Sequence, residues 1–118
     1  ATCLLDCRDP VRITRMRQRG IDPRWPPTQD TLNWAAWHRV HAWDPQWEQH
    51  VIVDHGPPDH IYKRWTGWAQ TDARWRVTTI DTTKLNQEQT LDRVAVWVKA
   101  ERATRSMLSS ETRWWENA

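Results

Sequence analysis

The run Thr2 to Gly20 changes its period part-way, and that change constrains the fold more than any other feature of the chain. Cys3-Leu4-Leu5, followed by Asp6 and Cys7, is too short for a helix and reads as a buried strand that Pro10 punctuates. From Val11 the period becomes helical. Val11, Ile13 and Met16 are apolar, Arg12, Arg15 and Arg19 recur at separations of three and four, and Gly20 stands as the residue that closes the helix. Arginines stacked along one stripe repel one another and call for an anion or a row of carboxylates opposite. Phosphate suits the planar, permanently charged guanidinium fork. The spacing therefore predicts a strand feeding a helix that carries a phosphate clamp of Arg12, Arg15 and Arg19.

A second strand is expected downstream at Trp75 to Ile80, rich in β-branched residues and ending at Asp81. Asn86, with Gln89 three residues on, predicts the start of a long helix. Leu91, Val94, Ala95 and Val98 form its inward stripe, and Lys99, Arg102 and Arg105 sit near its C-terminal part, where the helix dipole favours cations. Met107, Leu108, Trp114 and Trp115 give residues 104–118 the pattern of a tail helix.

Leu5-Asp6-Cys7 with Val11-Arg12, Arg15 and Arg19-Gly20 resembles the late strand and lid helix of small P-loop kinases of the nucleoside, shikimate and gluconate kinase-like group. Val77 to Thr83 followed by Leu85, Glu88 and Leu91 to Val94 is similar to the last strand and closing helix of the same enzymes. The resemblance spans roughly residues 2–103. It implies an α/β fold, a small parallel sheet with flanking helices corresponding to the later half of a P-loop kinase domain. It also implies that Asp81, Thr82 and Thr83 line an adenine pocket and that Arg15 and Arg19 contact the nucleotide. A strand-to-helix turn in which Asp81 and the threonines satisfy backbone amides explains the same residues.

The phosphate-cradling loop of such kinases needs two glycines and a lysine at fixed spacing. With glycines only at positions 20, 56 and 67, no Walker A loop can be built here. The resemblance thus implies a single partial domain, residues 1–118, that lacks the Walker A half. Its function would be the C-terminal part of an ATP-dependent phosphotransferase, using ATP and Mg2+ in the complete protein, needing neither alone, and inactive by itself. The expected partners are a nucleotide or phosphorylated small molecule and either the missing N-terminal half or a second copy. Neither nucleic acid nor membrane is expected, and the setting is cytoplasmic.

Composition supplies the alternatives. Eleven Trp, one Tyr and no Phe mean that tryptophan must build much of the core, and each buried indole N–H then needs an acceptor. If some rings instead form a surface, the chain is a noncatalytic Trp- and Arg-rich module for nucleic acid or a protein partner. A net charge of +2 is too small to argue for nucleic acid by itself. Its distribution is uneven, with seven Arg against four Asp in residues 1–40 and four acids with no Lys or Arg in residues 41–60.

That acidic stretch holds His50, Asp54, His55, Asp59 and His60, all metal-ligand types, which sets up a metal-dependent hydrolase as a third reading. No two histidines have the spacing of H-E-x-x-H, Pro57-Pro58 makes the segment irregular, and Asp59 is better explained as a helix cap. His38 and His41 lie on a helix expected from Gln29 to Ala42, as polar tips of a packed face or as ligands that lack a third partner. Leu32, Ala35, Ala36, Val40 and Trp43 form one apolar stripe of that helix and Trp34, Trp37 and His41 another, a pattern that predicts burial on two sides. Residues 21–27, with three prolines, read as an extended connection from which Arg24 reaches a phosphate or stands in solvent. A further helix is expected from His60 to Ala69. Cys3 and Cys7 in one strand are about 13 Å apart, beyond disulfide reach, and no metal site is assigned to them.

Overall fold

The structure is a computed structural model that describes residues 1–20, 27–53, 65 and 67–109, with side chains to residue 105. Its element order is β1 (Thr2–Asp6), α1 (Asp9–Gln18), α2 (Gln29–Trp43), α3 (His50–Val53), a 3-10 turn (Ala73–Trp75), β2 (Val77–Asp81) and α4 (Gln87–Ser109). By contact density the chain forms two units, Ala1–Thr83 and Lys84–Ala118.

The expected α/β class holds: β1 and β2 pair in parallel as a two-stranded sheet with helices flanking it. The register runs from Thr2 opposite Val77 to Asp6 opposite Asp81. Both strands therefore reach their carboxyl ends at the same level. Seventy residues of crossover lie between the strands, as parallel pairing demands a connection that carries the chain back to the same end.

α1 begins two residues earlier than the apolar pattern predicts, because Pro10 sits in its first turn, where a missing N–H costs nothing. At its far end Arg19 is the cap, with its N–H bonded to the Arg15 carbonyl, and Gly20 takes φ of +60°. Thr28 occupies the N-cap position of α2 but makes no side-chain capping bond. The second strand is two residues shorter at its start than expected. The Asp72 side chain accepts a hydrogen bond from the Arg74 N–H and folds Ala73–Trp75 into the 3-10 turn, so Trp75 leaves the strand.

The core of the first unit is built from indole and imidazole. Trp75, only 5% exposed, donates its Nε1–H to the Ala69 carbonyl at 3.1 Å and meets Trp68 edge-on at 5.2 Å between ring centroids. His41, also buried, stacks parallel to Trp37 at 4.8 Å and lies edge-on to Trp75 at 6.0 Å. The buried side of α2 is thus the Trp37–His41 side. The predicted burial of the stripe from Leu32 to Trp43 fails at its end: Val40 is exposed and Trp43 is 87% exposed.

α4 starts as expected. The Gln89 N–H donates to Asn86 Oδ1 at 2.8 Å and the Asn86 N–H donates to Gln89 Oε1 at 3.0 Å, a reciprocal capping box. Its predicted inward stripe is open to solvent at Leu91 and Val98. Among the described residues no helix is long and apolar enough to cross a membrane. The predicted connection with Arg24, the helix from His60 and the tail with Trp114 and Trp115 lie wholly or largely outside the described residues.

Candidate functional site

The level register of the sheet sets the geometry at its carboxyl end. Past Asp6 and Asp81 the two chains part, and side chains stitch them together. Thr82 donates its N–H to the Asp6 carbonyl at 2.7 Å and its hydroxyl to the same oxygen at 2.9 Å. Thr83 donates its N–H and its hydroxyl to Asp81 Oδ1, and the Thr83 hydroxyl accepts the Arg8 N–H at 3.0 Å. The two loops that follow the strands are thereby held against each other.

Arg15 reaches this point from the second turn of α1. Its Nη1 donates to the Thr82 hydroxyl at 2.9 Å and its Nη2 to the Thr82 carbonyl at 2.7 Å. The structure therefore brings together Arg15, Asp81, Thr82 and Thr83, four residues that sequence reasoning placed in one site although 66 positions separate the first from the second. Arg19, at the C-cap of α1, stands exposed one turn beyond Arg15.

Arg12, the remaining member of the expected clamp, faces the other way. Its Nη2 donates to Asp6 Oδ1 at 2.6 Å and to the Cys7 carbonyl at 3.3 Å. Arg39, from α2, donates Nε to Asp6 Oδ2 at 2.7 Å and Nη2 to Asp6 Oδ1 at 3.2 Å, and also reaches the Cys7 carbonyl. Asp9 lies in ionic contact with both, 3.9 Å from Arg12 Nε and 3.6 Å from Arg39 Nη2. Two carboxylates thus face two guanidiniums, and the group is neutral. Burial pushes the Asp6 carboxyl up, but the Arg39 hydrogen bond and the charges of Arg39 and Arg12 outweigh it and hold Asp6 below the usual carboxylate range. The Arg39 guanidinium is raised in turn by its bond to Asp6.

Sequence reasoning missed Asp6 and Arg39. The available signal was the aspartate that ends the apolar run: contrary to the buried strand expected, Leu5 is exposed and Asp6 is the buried residue of β1, and a buried carboxylate needs a cationic partner somewhere in the chain.

Among the described residues the histidines form no metal centre. His41 is a core side chain whose Nδ1 lies 3.2 Å from the Trp47 carbonyl, and His38 packs beside it with its basicity lowered by burial and by His41 and Arg12. His50 pairs with Glu48 at 3.2 Å. Among the described residues no three His, Cys, Asp or Glu side chains gather as metal ligands, while Asp54, His55, Asp59 and His60 lie outside them. Cys3 and Cys7 are free thiols, as expected, and burial raises the Cys3 thiol.

Many of the rings are engaged with one another. Arg74 stacks over Trp68 at 4.4 Å while its guanidinium is chelated by Asp72. An open groove of about 340 Å³, lined by Asp30, Asn33, Trp34, Trp37 and Val51, shares no residue with the strand-end site. No protein-family model, no curated protein and no solved structure matches the chain.

Proposed function

We propose that this chain is the C-terminal part of an ATP-dependent, kinase-like phosphotransferase, supplying an arginine and nucleotide-pocket residues, and that it does not turn over alone. The observation that supports the reading is the Arg15–Thr82 contact at the level end of two parallel strands. In open parallel sheets ligands gather beyond the carboxyl ends of the strands, and a guanidinium fork fixed there suits a phosphate.

In this reading Arg15 contacts the transferring phosphate with Arg19 beyond it, and charge stabilisation of that kind is worth several kcal/mol of barrier. The Asp81 side chain accepts the Thr83 N–H, as in the strand-to-helix turn the sequence also allowed, and in this reading the Asp81–Thr83 turn lines the nucleotide pocket. Arg12, matched by Asp6, serves the fold at this stage rather than the anion. A guanidinium at Arg15 suits an anion, and in this reading the Walker A lysine and the magnesium ligands would come from an N-terminal half. When bound, ATP and Mg2+ would supply the phosphoryl group and the neutralisation of its charge. The same half, or a second copy, would cover the open strand edges, and the setting is the cytoplasm.

Isothermal titration of the 118-residue protein with ATP at low salt tests the reading. Saturable binding weakened about tenfold or more by Arg15→Ala is expected. Binding indifferent to that substitution, or ATP turnover by this chain above the buffer rate, overturns it.

A further inference from the structure

The arginine that sequence reasoning did not weigh, Arg39, holds the junction of β1 and α1 at three points. It donates to the Asp6 carboxylate at 2.7 Å and to the Cys7 carbonyl at 3.3 Å, and it lies 3.6 Å from Asp9. Asp6 in turn controls the anchor of Arg15. Its carbonyl accepts both the N–H and the hydroxyl of Thr82, and Thr82 is the residue that Arg15 grips. Its carboxylate binds Arg12, which stands three positions before Arg15 on the same helix. One strand-end aspartate therefore sets both the threonine and the helix between which Arg15 is stretched.

We propose that Arg39 is a positioning residue for Arg15, acting through Asp6, so that anion binding at the strand ends depends on α2 being docked against β1. The inference rests on the phosphotransferase reading above and deepens it. The physical chain is short. Asp6 is 9% exposed, and water compensates little when a donor is withdrawn from its carboxylate. Without Arg39 the orphaned Oδ2 must find another donor, and the guanidinium already beside it, Arg12, belongs to α1. Turning α1 to satisfy Asp6 pulls Arg15 off Thr82.

Positioning and simple charge make opposite demands on Asp6. If only the local potential mattered, Asp6→Asn would remove a negative charge and tighten binding of any anion. If Asp6 and Arg39 hold Arg15 in place, the same substitution weakens it. Likewise Arg39→Lys keeps the charge and loses the two-point grip on the carboxylate.

The experiment is titration of the full chain with inorganic tripolyphosphate at low salt, for wild type, Arg15→Ala, Arg39→Lys and Asp6→Asn, with near-ultraviolet circular dichroism reporting the Trp core. The expected result is affinity lowered about fivefold or more in both Arg39→Lys and Asp6→Asn. A smaller loss in Arg39→Lys, or tighter binding in Asp6→Asn, overturns the proposal. Should Asp6→Asn lose the native spectrum, Arg39→Lys decides alone. A wild type that does not bind, or binding that Arg15→Ala leaves unchanged, overturns the phosphotransferase reading and this inference with it. Binding through Arg15 that ignores Arg39 overturns the inference only.

Discussion

Replacing Asp6 by alanine removes the fastening between β1, α1 and α2 in a single step. The side chain is 12% exposed and accepts bonds of 2.6, 2.7 and 3.2 Å from two guanidiniums. Charge-assisted bonds at about 1.5–3 kcal/mol each set an upper bound that is too high here. Arg39 is 44% exposed and water takes over much of its share. Removing one partner of a buried ion pair costs about 3–5 kcal/mol, and the exposed half of this group moves the expectation to the low end, about 3 kcal/mol.

For a domain with about 5–15 kcal/mol in total this is a large loss. With a urea slope of about 2 kcal/mol/M, the midpoint falls by about 1.5 M, read by Trp fluorescence. The pH dependence carries a definite sign. Because the folded carboxyl titrates below its unfolded value, its contribution is fully present above about pH 4 and disappears as pH falls through the folded value. The wild-type and Asp6→Ala stabilities therefore diverge at neutral pH and converge in acid. A midpoint shift below about 0.5 M, or a gap that persists undiminished to about pH 2, would refute the view that this carboxylate fastens the three elements.

Two smaller perturbations probe neighbouring links. Thr82→Val keeps the shape but removes the hydroxyl that donates to the Asp6 carbonyl and accepts from Arg15, at an expected cost of about 1–2 kcal/mol in urea unfolding; no measurable change would mean the strand ends are held without it. Gly20→Ala adds a methyl that meets no atom within 4 Å, so the expected loss of about 1 kcal/mol is purely the cost of φ at +60°, and an unchanged melting temperature would show that α1 does not end in this conformation.

Much of the fold was legible where its causes are local. The short apolar run before Asp6 and the β-branched run before Asp81 read as strands because each is too short for a helix and suits a pleated surface. Asn86 and Gln89 announced α4 because a capping box closes within four residues. The start of β2 was misplaced at Trp75, since the Asp72 cap that bends the preceding turn competes with a strong strand former and wins. Of the expected arginine clamp, Arg15 was found beside Thr82 while Arg12 turned to Asp6. Helical spacing shows which arginines share a stripe, and only tertiary structure supplies the carboxylate that claims one of them. Arg39 was invisible for the same reason, lying 33 positions from its partner with no spacing rule to join them. The two stripes of α2 were read as equally buried. Hydrophobicity alone does not reveal that His41, stacked on Trp37 and against Trp75, holds a core position while Trp43 faces water.

The central claim is that an arginine on α1 and the loop after β2 form one anion site, and amide nuclear magnetic resonance of the full chain titrated with ATP tests it most directly. Saturable shifts are expected at Arg8, Arg15, Thr82 and Thr83, the residues stitched together at the strand ends, with their loss in Arg15→Ala. Saturable shifts confined to the groove of Trp34, Trp37 and Val51, or shifts at the strand ends that survive Arg15→Ala unchanged, would contradict it.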